Sequence, residues 1–189
     1  MITLPTLETE RLSLRPYRDA DAERVLDIQG RLEVIRWLSN PPYVPMETLD
    51  EARTWIAKLP ALHEKDPRLG GWAIVVNESG IVAGTAMLVE LPKSDGLIQI
   101  GWHLHPDSVG SGFVTEAALA VFAAGFANGL PEIWVEMFID NDPSASVARR
   151  LGMSELGVMD DPWYGGQSLM FKMTRGQWDA RFEQKAVNP

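Results

Sequence analysis

His105-Pro106-Asp107-Ser108-Val109-Gly110-Ser111-Gly112-Phe113-Val114-Thr115-Glu116-Ala117 is the stretch on which the fold turns. Before it, residues 97–105 alternate apolar and polar side chains as a half-buried strand does. After it, residues 115–128 form an alanine-rich helical run that Gly129 and Pro131 close. Two glycines between a strand and a helix let consecutive backbone N–H groups converge on one concavity at the positive end of the helix dipole. Such a concavity suits an anion, most often phosphate. A plain tight turn also uses glycines, so Gly-x-Gly alone leaves both readings open. Two sharper phosphate motifs are absent. A dinucleotide fingerprint needs a third glycine where Thr115 stands, and no Gly-Lys-Ser/Thr triplet of a P-loop occurs.

Upstream, residues 11–17 alternate like a strand, and Asp19 offers an N-cap. Ala22, Val25, Leu26 and Ile28 then recur at helical spacing up to Gly30. Residues 31–38 read as a short helical turn, and Ser39-Asn40-Pro41-Pro42 as a loop. A helix is predicted over 48–62, with Leu49, Ala52, Trp55, Ile56 and Leu59 on one face. Residues 72–76 and 81–91 form a hairpin about Asn77-Glu78-Ser79-Gly80, and the turn 93–96 leads into the strand 97–105. Downstream lie a strand at 132–139, a short helix at 143–151, strands at 153–159 and 168–173, and a helix at 175–185. This order predicts an α+β fold with a mixed sheet, in one domain spanning 1–189. The antiparallel run before the glycine turn argues against a dinucleotide-binding fold.

Composition narrows the function. The 189 residues are 46% apolar and 23% charged, with no stretch approaching the ~20 apolar residues that span a bilayer. No membrane partner is expected. The opening residues lack the basic start and apolar run of a signal peptide, so a cytoplasmic location is expected. With no cysteine, disulfides, thiolate metal sites and cysteine nucleophiles are excluded. A net charge of −9 disfavours nucleic acid; it would draw in a cationic substrate such as a protonated amine, but it serves solubility equally well, so charge alone does not decide between the two. His103 and His105 are expected to face apart, so no metal site is read from them.

Three blocks together resemble the GNAT acetyltransferase superfamily, most of all its branch of ribosomal-protein N-terminal acetylases. The first is Leu7-Glu8-Thr9-Glu10-Arg11-Leu12-Ser13-Leu14-Arg15, similar to that branch's first strand. The second is the glycine turn, similar to its pyrophosphate loop. The third is Asn141-Asp142-Pro143-Ser144 followed by Val147-Ala148-Arg149-Arg150-Leu151-Gly152-Met153, similar to its Asn-x-x-Ser helix leading into Leu-Gly-Phe.

The resemblance implies a mostly antiparallel central sheet flanked by helices, whose fourth strand (97–105) and fifth strand (132–139) splay around the pantetheine arm of acetyl-CoA. It implies that backbone groups near His103 and Leu104 pair with that arm. The diphosphate would rest on amides of Val109, Gly110, Ser111, Gly112, Phe113 and Val114, with the Thr115 hydroxyl in reach. Asn141 and Ser144 would lie beside the pantetheine and sulfur. A tyrosine that many relatives use as acid is replaced by Ala148, which leaves Ser144 for that role. Some relatives carry a glutamate base where Gln99 stands; Gln99 can only orient a water, and His103 is a second candidate base. Adjacent Asp160 and Asp161 are a third. Trp37 and Tyr43 in one loop, and Trp163 and Tyr164 in another, are candidate substrate contacts.

The expected reaction is acetyl transfer to a primary amine, whether a protein N-terminus, an amino acid or another small amine. The alternative is a non-catalytic acetyl-CoA sensor of the same fold, kept open by Gln99 and Ala148. A longer acyl donor and a homodimer are also compatible with the resemblance.

Overall fold

A computed structural model describes residues 3–187. Eight strands form one sheet: β1 (Leu7–Glu8), β2 (Leu12–Pro16), β3 (Gly70–Val76), β4 (Val82–Glu90), β5 (Ile98–Leu104), β6 (Glu132–Met137), β7 (Ser154–Asp160) and β8 (Gln167–Thr174). Their order is β1-β2-β3-β4-β5-β6-β8-β7, and every neighbouring pair is antiparallel except β5 and β6. The helices are α1 (Ala22–Gln29), α2 (Leu32–Ile35), α3 (Leu49–Lys58), α4 (Pro60–Lys65), α5 (Phe113–Ala127), α6 (Asp142–Arg150) and α7 (Arg175–Val187).

The parallel pair creates the site. Parallel neighbours need a crossover, and α5 supplies it between β5 and β6. The two strands share a single registered pair, Gln99 with Trp134, and then part. The loop of residues 105–112 and the N-terminus of α5 therefore stand at the open end of a wedge. The α+β class and the mixed sheet are as the sequence predicts, and the splayed strands are as the resemblance implies.

Alternation sorts the sheet into two faces. Leu12, Leu14, Trp72, Ile74, Ala86, Leu88, Ile98 and Ile100 are buried in one cluster with Ala117, Ala118, Val121, Phe122 and Phe126 of α5. The alanines let α5 approach the sheet closely, so the helix that presents its N-terminus to the wedge is fixed along its length. On the other face Ala73, Val75 and Val82 lie with Tyr17, whose ring meets Trp55 of α3 edge-on at 5.2 Å.

Four details differ from the sequence reading. Strand β1 is only two residues long, too short to show a period, and pairs Leu7 with Leu14. The helix predicted over 48–62 is two helices, because Pro60 starts α4 and lacks the N–H that would continue α3. Asp19 does not cap α1. It begins a 3₁₀ turn, Asp19–Asp21, and Asp21 instead accepts from the Arg18 N–H and pairs with Arg15 at 2.7 Å. Finally, α5 starts at Phe113, since Gly112 adopts φ 78° immediately before it.

Candidate active site

A cavity of about 990 Å³ fills the wedge. At one end stand Val109, Gly110, Gly112, Phe113, Val114 and Thr115. Gly110 (φ 88°) and Gly112 (φ 78°) both occupy the left-handed region that a side chain disfavours. A Cβ at Gly110 would meet no atom within 4 Å, so conformation rather than crowding calls for glycine there. The first N–H groups of α5 have no intrahelical acceptor and are directed at this end.

A clamp from the other edge of the sheet holds this loop. Thr9 Oγ1 donates to Glu116 Oε1 at 2.6 Å, and the Arg11 N–H to the same oxygen at 2.8 Å. The Arg11 guanidinium pairs with Glu116 Oε2 through Nε at 2.7 Å and donates from Nη1 to the Ser111 carbonyl at 2.9 Å. Ser111 thus serves the clamp and does not line the cavity. Across the wedge, Asn141 is buried and caps α6, its Oδ1 accepting from the Ser144 N–H at 3.3 Å. Asn141 and Ser144 both line the cavity. So does Arg150, whereas Arg149 is engaged with Glu155 at 2.8 Å. Ala148 is fully buried, so its face of α6 offers the cavity no acid.

The middle of the cavity holds titratable groups. Residues registered side by side on parallel strands share a face, so Gln99, Gly101 and His103 of β5 lie with Trp134, Glu136 and Phe138. Two residues beyond the Gln99–Trp134 pair, where the strands have parted, Glu136 and Gly101 both line the cavity. Burial raises the Glu136 carboxyl, and the neighbouring Asp161 carboxylate raises it further, to about 7. Burial also works against the charge of Asp161. Its Oδ1 nevertheless accepts from the Trp163 and Tyr164 N–H groups at 2.8 and 3.0 Å, and its Oδ2 from Ser168 at 2.8 Å, which together hold it below the usual carboxylate range. The two carboxyls divide their roles by environment, one kept ionised and the other poised.

The carboxylate pair is therefore Glu136 with Asp161, not Asp160 with Asp161. Asp160 is exposed at the end of β7 and accepts from Gln167 at 3.1 Å. Gln99 donates to the Tyr164 hydroxyl at 2.7 Å. His103 lines the cavity, but burial pushes it down to about 4, too low to take a proton from an alkylammonium. Its Nε2 lies 3.0 Å from Thr85 Oγ1 and 3.4 Å from the Gln29 amide. His105, two residues on, shares its face, so the expectation that the two face apart does not hold: His105 Nε2 lies 3.0 Å from Asp27, also on α1. Each imidazole has its own partners, and no group of three or more potential metal ligands stands together among the described residues.

Of the four aromatic candidates, Trp37 and Tyr164 line the cavity and Tyr43 and Trp163 do not. Trp163 meets Trp134 edge-on at 5.6 Å, and Trp37 meets Phe138 at 6.3 Å. Leu104 also lines the wall. Glu136 escapes the sequence reading because Glu132, Trp134 and Glu136 alternate as a solvated strand face would. Its partner lies in a loop 25 positions on (161 − 136), and nothing local joins them.

Residues 11–154 match the family model described as Acetyltransferase (GNAT) domain. The chain belongs to the GNAT acetyltransferase family. It is 30% identical over 163 residues to the uncharacterized N-acetyltransferase YoaA of Bacillus subtilis (strain 168), covering 85% of this chain and 89% of that protein. Its fold is similar to a GNAT-family acetyltransferase of Bacillus anthracis, with TM-score 0.75 and 20% identity over 91% of this chain and 99% of that one. It is also similar to RimL, a ribosomal L7/L12 alpha-N-protein acetyltransferase in complex with coenzyme A, with TM-score 0.74 and 17% identity over 90% and 98% of the two chains. This GNAT chain is thus an acetyltransferase, of a family that uses acetyl-CoA. Among the described residues, no helix is long and apolar enough to cross a membrane.

Proposed function

We propose that this GNAT enzyme transfers the acetyl group of acetyl-CoA to a primary amine by direct attack, with Glu136 as the proton acceptor. The observation that carries the reading is a carboxyl poised near neutrality that lines the cavity in the gap where the strands part. The anion-binding end fits the diphosphate: it offers the amides at the start of α5, glycines with positive φ, and Arg150 as a cation. The similarity in fold to RimL, which was solved with coenzyme A, supports acetyl-CoA as the donor.

An alkyl amine is mostly protonated at neutral pH and must lose a proton before it attacks. Glu136 takes that proton. The nitrogen then forms its bond to the thioester carbonyl carbon, the C–S bond breaks, and the proton that the nitrogen sheds passes to the departing thiolate to give the thiol. A backbone N–H of β5 near Leu104 stabilises the carbonyl oxygen as it gains charge. Ser144 hydrogen-bonds the departing sulfur. Trp37 and Tyr164 wall the amine's side. The sensor reading rested on the missing acid and base; Glu136 supplies the base and removes half of that ground.

Calorimetry tests the cofactor half of the proposal. Acetyl-CoA should bind one-to-one, and Gly112→Glu should lose that binding, because it places a carboxylate in the anion site and strains a residue at φ 78°. No binding at millimolar acetyl-CoA refutes the proposal. Binding with no CoA release across an amine and peptide screen would favour the sensor.

A further inference from the structure

His103 has a use other than proton transfer, and its tautomer follows from counting protons. Tyr17 Oη lies 3.0 Å from the Gly84 carbonyl oxygen, which can only accept, so the phenol proton is committed there. The 2.7 Å contact between Tyr17 and Thr85 Oγ1 then requires the threonine proton. The 3.0 Å contact between Thr85 Oγ1 and His103 Nε2 in turn requires a proton on that nitrogen. Gln29 Nε2 lies 3.4 Å from the same Nε2, and since two N–H donors cannot pair, the tautomer requires the amide turned over with its oxygen toward His103, the two ends of an amide being alike in shape. Thr85 is fully buried, which leaves the chain no alternative partner in water. Nδ1 is consequently bare. Both of the ring's hydrogen bonds among the described residues are made at Nε2 and none at Nδ1, and the ring lines the cavity.

We infer that His103 presents a fixed hydrogen-bond acceptor that reads a second N–H donor on the acceptor amine, so that the enzyme prefers amines carrying such a donor and no neighbouring carboxylate. The inference rests on the acetyl-transfer reading and narrows its substrate class. The same wall supplies the exclusion. Glu136 and Asp161 must face the reacting nitrogen, and Glu33 also lines the cavity, while its lining cation is Arg150 on α6. An α-carboxylate beside the reacting amine would meet like charge in a partly dehydrated site. A neutral amide or a second ammonium in the same place would meet acceptors.

A matched series tests this: ethylamine, alaninamide, 1,2-diaminoethane and alanine, each with saturating acetyl-CoA. Alaninamide and the diamine should exceed ethylamine in kcat/KM by about tenfold, one hydrogen bond's worth. Alanine should fall about a hundredfold below its amide. The relative rates of amide and diamine separate a neutral donor from a charged one. His103→Phe should bring the amide-to-ethylamine ratio to near one, and His103→Asn should restore part of it through its side-chain oxygen. The rising limb of the pH profile should persist in both variants, as a proton acceptor's replacement would not allow. Ring 15N resonances, assigned with His103→Asn, should show a bare Nδ1 that shifts on alaninamide addition. Alanine as good as alaninamide, or a proton on Nδ1, overturns the inference. If no amine turns over, the transfer reading falls, and the 15N titration alone decides His103.

Discussion

A carboxyl that ionises near neutrality must be costly to ionise, and Glu136 shows why the group we propose as proton acceptor also strains the fold. Its pKa is raised, so the folded chain binds a proton that the unfolded chain has released between about 4.5 and 7. The sign follows: the stability of the native enzyme is full below that window and falls as pH rises through about 7. Glu136→Gln removes the charge, so the variant should gain on wild type by roughly 2 kcal/mol between pH 5 and pH 8, after allowance for partial exposure. Denaturant melts at the two pH values measure this. The same substitution should lower kcat/KM by about 10² to 10³ and erase its rising limb near pH 7, with acetyl-CoA affinity kept. A variant that is both slower and no more stable at pH 8 would show that Glu136 carries no strained charge.

At the scale of elements, a tie across the sheet decides how rigidly the anion loop is held. The turn between β1 and β2 reaches the start of α5 through Thr9 and Arg11, which share Glu116. Arg11 is about half exposed, so the ion pair itself adds at most about 1 kcal/mol to stability. Its effect on the loop is larger in kind, because the bond to the Ser111 carbonyl fixes the peptide between two glycines with positive φ. Arg11→Ala should therefore weaken acetyl-CoA about tenfold with a melting temperature within a few degrees of wild type, as calorimetry and thermal melts would show. The sequence displays both ends of this tie in its first two motif blocks, but not that they meet. Elements set by local signals were legible: the hairpin about 77–80, the body of α5 up to its stop at Gly129, and α6 behind Asn141. What depends on distant partners was not. The two-residue β1 exists only by pairing with β2, and the pairing of Glu136 with Asp161 only because β8 inserts between β6 and β7. Tyr43 and Trp163 resembled their cavity-lining neighbours Trp37 and Tyr164 because composition does not tell which side of a loop faces the wedge.

Over the whole molecule, a charge of −9 acts with opposite signs on the two substrates of the proposed reaction. The amine is a cation drawn toward an acidic surface, whereas acetyl-CoA is a polyanion that must approach against it. The backbone amides at the start of α5 attract phosphate as dipoles, and a dipole's field fades faster with distance than that of a net charge. Salt at 0.1 M screens beyond about 10 Å, so it removes the long-range repulsion and leaves most of the short-range attraction. Raising ionic strength from about 10 mM to about 200 mM should then speed acetyl-CoA association about two- to fivefold and slow capture of a cationic amine by a similar factor. Stopped-flow binding of acetyl-CoA and kcat/KM for ethylamine at matched salt measure the two arms. If acetyl-CoA association slows instead, the local field of Arg150 and Arg11 outweighs the acidic whole, and the anion site works as a cationic patch rather than as a dipole cradle.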